Sequence, residues 1–124
     1  THTGVDGVCP HWRNLDDDQI RAVADTGGVV GVIFHMGFLS RRGGPRDSEI
    51  VLEHMEHIIR VVGEDHLALG SDYDGAIIPP LGLRYEPAYG RIVQSMLGRG
   101  WSSGRIEKVL GGNFLRCLEQ LRGC

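Results

Sequence analysis

Two short runs constrain the fold more than anything else in the chain. Val29-Val30-Gly31-Val32-Ile33-Phe34 and Leu67-Ala68-Leu69-Gly70 are apolar at consecutive rather than alternate positions. Runs of that kind read as strands buried on both faces. Between them, from about Ser48 to Val62, the residues Val51, Met55, Ile58, Ile59 and Val62 fall on one face of a helix, and Gly63 supplies its stop. Strand, helix, strand in this order implies a parallel pair joined by a right-handed crossover. Two such strands cannot cover their own edges, so they belong in a larger sheet flanked by helices. A closed barrel of this kind takes roughly 250 residues, and this chain has 124. The chain therefore reads as the last third of a larger α/β domain, and its start at Thr1 rather than Met reads as a trimmed or partial chain. With both sheet edges open, it is expected to be marginal alone or to associate, as in a homo-oligomer.

The remaining elements follow in order. Thr1 to Leu15 has Gly, Pro and polar residues without a period and reads as a loop leaving an earlier strand. Asp16 opens a helix with an acidic first turn, Gln19 in capping-box position and Ile20, Val23 and Ala24 as its stripe, ended by Gly27 and Gly28. Ser40 to Asp47 is a basic, Gly-rich loop. Ala76 to Glu86 contains two prolines and is expected to overhang the strand ends. A helix from about Pro87 to Leu97 stops at Gly98. A short helix after Ser103 carries Ile106, Val109 and Leu110, Gly111-Gly112-Asn113 breaks it, and a last helix carries Phe114, Leu115, Cys117, Leu118 and Leu121. No repeat or linker divides residues 1–124, which form a single segment.

Composition excludes several classes of function. A net charge of −3 advertises neither nucleic acid nor an anionic membrane as partner. No apolar run approaches the roughly 20 residues of a membrane span. Cys9, Cys117 and Cys124 make an odd set with no C-x-x-C, so neither a disulfide framework nor a thiolate zinc site is indicated. A reducing compartment, the cytoplasm, is the simpler expectation. Cys124 ends the chain but makes no prenylation box.

The stretch Leu67-Ala68-Leu69-Gly70-Ser71-Asp72-Tyr73-Asp74-Gly75 is where chemistry is expected. Asp72 would sit at the C-terminal tip of a parallel strand, the edge at which α/β sheets and barrels bind ligands. The alternative is an Asx-turn in which Asp72 and Asp74 accept bonds from nearby backbone N–H groups. Six histidines occur: His2, His11, His35, His54, His57 and His66. His54-Met55-Glu56-His57 lacks the H-E-x-x-H order, and its i,i+3 spacing suits one metal less well than i,i+4, so these two read as partly exposed polar residues of the helix. His66 precedes its strand and stands at the wrong end for an active site. His2 would stand at the active end if a strand precedes it. On the same loop, Arg13 is either a planar clamp for a carboxylate or an ordinary surface charge.

Thr1-His2-Thr3-Gly4 followed by Trp12-Arg13-Asn14-Leu15-Asp16-Asp17 resembles the S-H-T/S and R-N-L/V-x-D elements of the membrane (renal-type) dipeptidases, zinc metallopeptidases of the amidohydrolase barrel superfamily. The resemblance continues through Gly28-Val29-Val30-Gly31-Val32, His54-x-x-His57-Ile58, Gly70-Ser71-Asp72-Tyr73-Asp74-Gly75 and Gly111-Gly112-Asn113-Phe114-Leu115-Arg116, in order along essentially the whole chain. It implies the C-terminal portion of a (β/α)8 TIM-type barrel with a binuclear zinc centre at the C-terminal face of its strands. It also implies zinc-dependent hydrolysis of a dipeptide substrate. By residue, it implies His2 as a metal ligand, Arg13 as the group binding the dipeptide's terminal carboxylate, and Asp72 as the catalytic carboxylate that handles the proton. His54 and His57 match positions that are not ligands. The family's remaining ligands, an H-x-D pair, a bridging glutamate and a further histidine, have no counterpart here. The isolated segment is therefore expected to be inactive and to bind zinc poorly.

Two rival readings stand beside this one. Asp-x-Asp-Gly after a strand also opens haloacid-dehalogenase-like phosphatases, with Asp72 as nucleophile. However, the 49 residues after Gly75 contain no Asp, and the single lysine, Lys108, lies on a helix. An EF-hand loop is excluded by Ile77 in the place of its glycine. The non-enzymatic reading is a truncated barrel segment that acts as an interaction module.

Overall fold

The computed structural model describes residues 1–85 and 87–123; Glu86, which ends the predicted 76–86 loop, and Cys124 lie outside the described residues. Strands β1 (Val30–Val32) and β2 (Leu67–Leu69) pair in parallel with Val30 opposite Leu67, Gly31 opposite Ala68 and Val32 opposite Leu69. Helix α3 (Ser48–Val62) makes the crossover between them. Its turn-spaced apolar face buries Ile50, Val51, Met55 and Ile58, while Val30, Val32 and Leu67 are buried from the sheet side. Asp47 caps the helix by accepting from the Glu49 N–H, and Gly63 leaves it at φ 90°, where a side chain would be strained.

The expectation of two open edges is corrected on one side. The Thr3 N–H donates to the Gly31 carbonyl at 3.0 Å and the Ile33 N–H to the Thr3 carbonyl at 3.0 Å, a parallel bridge that covers the free edge of β1. Nor is Thr1–Leu15 a plain loop. Val5 bridges Leu15, and Thr3, Val5, Cys9 and Asn14 are buried. Its order comes from distant partners, so it leaves no period in the sequence.

Helix α1 (Asp17–Asp25) starts with the predicted capping box between Asp16 and Gln19. The short α2 (Met36–Leu39) follows β1 directly. Helix α4 (Ala88–Gly98) ends at Gly98, but Gly98 is not the residue that turns the chain out of it. The Trp101 N–H reaches the Met96 carbonyl and the Gly100 N–H that of Leu97, with Gly100 at φ 77°, so the second of the two glycines makes the Schellman end. Helices α5 (Ser103–Glu107) and α6 (Asn113–Arg122) are separated where the sequence breaks them: the chain kinks within Lys108–Gly112, where Gly111 takes a non-helical φ of 177° and ψ of −27°. The apolar residues expected to bury α6 do not all do so: Phe114, Leu115 and Leu121 are exposed, as is Leu110. At the N-terminal end of β2, the buried Asn113 side chain donates to the carbonyls of Glu64 (2.7 Å) and Leu67 (2.9 Å). There too Arg116 donates to those of Gly27 (2.9 Å) and Asp65 (2.7 Å). No helix among the described residues is long and apolar enough to cross a membrane.

Candidate functional site

Three consecutive chain segments end on the same side of the sheet. Thr3 stands beside β1, which stands beside β2, and the residues beyond their C-terminal ends are Gly4 to Arg13, His35 to Phe38, and Ser71 to Tyr85, with His2 directly before Thr3. The backbone at His2 fits there because Gly31 and Gly70 carry no side chain. A Cβ on either would meet the Thr1 carbonyl, and one on Gly70 would stand 3.1 Å from the His2 Cα. The smallness of Gly70 thus makes room for the His2 segment rather than for a ligand.

His2 and Arg13 are brought together. The Arg13 guanidinium lies 3.4 Å from His2 Nε2. A guanidinium cannot accept a hydrogen bond, so in this contact Nε2 is the acceptor, with Nδ1 facing the Thr1 hydroxyl at 3.0 Å. The Nε2 lone pair, the one a metal would take, is thus engaged by Arg13 in this geometry. Arg13 also lies over the Phe38 ring, 5.5 Å from its centroid, an arrangement that orients the planar fork while leaving its other N–H groups available. Around it, His11 packs on Phe38 at 4.9 Å and His35 meets the same ring edge-on at 4.7 Å.

Asp72 follows directly after the last bond of the β1–β2 pair, in which the Phe34 N–H donates to the Ser71 carbonyl at 3.2 Å. The strand end is where the sequence placed it. The Asx-turn alternative is corrected. Among the described residues neither Asp72 nor Asp74 accepts a side-chain hydrogen bond. The turn is instead held by the Gly75 N–H on the Asp72 carbonyl (3.0 Å) and by left-handed φ values at Asp72 (61°), Asp74 (67°) and Ala76 (59°). Aspartate tolerates that conformation better than most residues. The Asp72 carboxylate lies over Gly75, where a Cβ would collide with it. No hydrogen bond joins Asp72 to His2 or Arg13.

The loop after Asp72 overhangs the strand ends as expected. The Ile78 N–H donates to His35 Nδ1 at 2.9 Å, and its carbonyl accepts from the Met36 N–H at 2.8 Å. A cleft of roughly 780 Å³ is formed within the loop, lined by Tyr73, Ile77, Ile78, Arg84 and Tyr85 among others. The Tyr73 hydroxyl donates to the Leu83 carbonyl at 2.8 Å, and burial pushes its pKa up.

His54 is not the partly exposed residue expected, whereas His57 is. His54 is fully buried: its Nδ1 accepts from the Val5 N–H at 2.9 Å, and Nε2 is 3.0 Å from the Leu39 carbonyl. Burial pushes its pKa from 6.5 down to about 4. His57 Nε2 is 2.6 Å from Asp17 Oδ1, and this bond holds the Asp17 carboxyl below its usual range. His66 bonds the Gly28 carbonyl at the opposite end of the strands, as expected. Sequence reasoning missed Asn14, beside Arg13. Its Oδ1 accepts from the Gly4 N–H (3.1 Å), and its Nδ2 donates to the carbonyls of Cys9 (2.9 Å) and Phe38 (2.8 Å).

No group of three or more His, Cys, Asp or Glu among the described residues is arranged to hold a metal ion. A catalytic zinc takes about three protein ligands and an open position. His2 fits one such position, and the segment's own donors do not complete the set.

Comparison with known proteins places the chain in a family. The membrane dipeptidase family (peptidase family M19) matches residues 1–123. An uncharacterized protein from the pqqA 5′ region of Klebsiella pneumoniae is 39% identical over 98% of this chain and 45% of its own length. Dipeptidase 3 of Mus musculus is 31% identical over 98% of this chain and 24% of its own. A metallopeptidase from Rhodobacter sphaeroides, solved with a phosphinate mimic of the dipeptide L-Ala-D-Ala, superposes with a TM-score of 0.87 at 34% identity, over 96% of this chain and 34% of that one. This chain thus spans a quarter to just under half the length of these relatives, and its parallel strands and helices are a portion of a TIM-type barrel. With residues 1–123 matched by the family, the chain belongs to the membrane dipeptidase family of metallopeptidases.

Proposed function

We propose that the full-length protein carrying this segment hydrolyses dipeptides with a binuclear zinc centre. In this reading His2 is one zinc ligand, Arg13 binds the substrate's terminal carboxylate and Asp72 transfers the proton. The observation that carries the reading is the contact between Arg13 and His2 at the strand edge that Asp72 also ends. A carboxylate-binding fork beside a metal-binding imidazole measures substrate length, since the scissile carbonyl must lie within one residue of the carboxylate. The dipeptide mimic bound to the Rhodobacter sphaeroides relative supports that substrate class.

Each residue has a definable task. Arg13, resting on Phe38, presents two parallel N–H donors to a carboxylate and so orients the peptide bond. Zinc in such centres lowers the pKa of water toward neutrality and polarises a carbonyl. The Asp72 carboxylate has no hydrogen-bond partner among the described residues. It is free to take a proton from the attacking water and hand it to the departing amine. The isolated segment, with His2 as its one donor toward the metal, is proposed to be inactive.

The test is a comparison of a free dipeptide with its C-terminal amide, using the full-length zinc-loaded protein and its Arg13→Lys variant. Lysine keeps the charge and loses the fork. KM for the free dipeptide should rise on the order of tenfold, while the amide, already a poor substrate, should change little. Equal losses on both substrates would remove Arg13 from the carboxylate site, and no hydrolysis by the wild-type protein would end the dipeptidase reading.

A further inference from the structure

The mechanism above leaves one buried, titratable side chain unused. His54 lies in the middle of α3 with no exposed surface, and both ring nitrogens are engaged. The Leu39 carbonyl can only accept, so Nε2 carries the proton, and Nδ1 is left to accept from the Val5 N–H. These two partners belong to different parts of the site. Val5 is on the segment that bears His2 and Arg13. Leu39 is the last residue of α2, and its carbonyl is one of those a helix end leaves without an internal partner. Phe38, directly before it, supplies the ring beneath the Arg13 guanidinium. Asn14 spans the same gap from the other side, bonding Gly4, Cys9 and the Phe38 carbonyl.

We infer that His54 is a positioning residue for carboxylate binding: one imidazole holds the Arg13 segment and the Phe38 helix at a fixed separation, and so sets where the guanidinium fork points. No substrate atom need approach His54. The inference rests on the dipeptidase reading for its consequence in kinetics, and on the geometry alone for its consequence at Arg13.

Two amides separate the two bonds. In His54→Asn the side-chain oxygen stands near the place of Nδ1 and can still accept from Val5, while the bond to Leu39 is lost. In His54→Gln the longer amide reaches Leu39 and the Val5 bond is lost. Both variants remove one buried bond and should lower the thermal midpoint of the full-length protein to a similar degree. They should differ at Arg13. The ring-current shift that Phe38 imposes on the Arg13 side-chain protons, read by NMR, should persist in His54→Asn and shrink in His54→Gln. Hydrogen exchange at the Val5 amide should accelerate only in His54→Gln. In the zinc-loaded protein His54→Gln should raise KM for a free dipeptide about fivefold, leave kcat within about twofold, and leave the amidated dipeptide unchanged.

Identical Arg13 shifts in both variants would overturn the inference. So would losses on both substrates that merely track the thermal midpoint. A wild-type protein that cleaves no dipeptide would defeat the functional reading separately, and the NMR comparison would still decide what His54 does.

Discussion

Asp72 and Asp74 stand two residues apart in one turn, both at left-handed φ and both without a side-chain bond among the described residues. What separates them is anchorage. Asp72 comes straight after the last bond of the sheet, whereas Asp74 is exposed on the turn. In the full-length zinc-loaded protein, Asp72→Asn should lower kcat by about 10²-fold or more with metal content kept, the usual scale for losing a general acid–base group. Asparagine tolerates left-handed φ as well as aspartate does, so Asp74→Asn should change kcat less than about twofold and move the thermal midpoint little. The reverse pattern would shift the proton-transfer role to Asp74. His54 makes a second prediction at this scale. Its pKa is about 4 in the fold and near 6.5 when unfolded, so between those values the unfolded chain binds the extra proton. The stabilisation is fully present above pH 6.5 and is lost as pH falls toward 4, by at most about 3 kcal/mol. Glu53 and His57 act on it in opposite directions. Urea titrations of the full-length protein from pH 7 to pH 4 should show this loss, and it should be much flatter in His54→Gln.

Among the elements, α3 and α6 contrast in what holds them. Helix α3 was legible in the sequence because its apolar face and its Gly63 stop agree. Helix α6 shows a similar apolar stripe, yet its one buried residue is polar: Asn113, bound to the carbonyls of Glu64 and Leu67. Replacing Asn113 with Ala leaves both carbonyls short of a donor and should cost about 1–3 kcal/mol, seen as a lower urea midpoint with kcat unchanged at matched folding. An unchanged midpoint would mean that water satisfies those carbonyls. Periodicity could not show this anchor, since a buried asparagine is recognised only by the backbone groups it meets. The same holds for Asn14 and His54. Gly98 and Gly100 show a related limit: either could end α4 by composition, and only the bond from Trp101 to Met96 decides for the second.

For the molecule as a whole, the parallel pairing and its crossover were readable from two apolar runs and one helix, because burial on both faces leaves a continuous signal. The third member of the sheet was not, since Thr3 contributes a single bridge. One edge therefore remains, that of β2, together with the apolar surface of Leu97, Leu110, Phe114, Leu115 and Leu121. An unpaired edge and an uncovered apolar face both favour association. Residues 1–124 expressed alone should sediment as oligomers at concentrations of about 100 µM. A monomer with a sharp thermal transition would show that the segment closes its own core.

The slot formed by Gly31 and Gly70 bears on how a saturation mutational scan of this protein would read. At both positions the first atom of any side chain runs into the Thr1 carbonyl, so every substitution, alanine included, forces the His2 segment outward. Scored by growth on a dipeptide, the two glycines should look as intolerant as Asp72, though neither carries a group that takes part in chemistry. Scored by cellular abundance, the Asp72 variants should persist at near wild-type levels while the Gly31 and Gly70 variants are depleted. The difference between the two maps would then separate the residues that act on substrate from the empty space that lets His2 stand beside them.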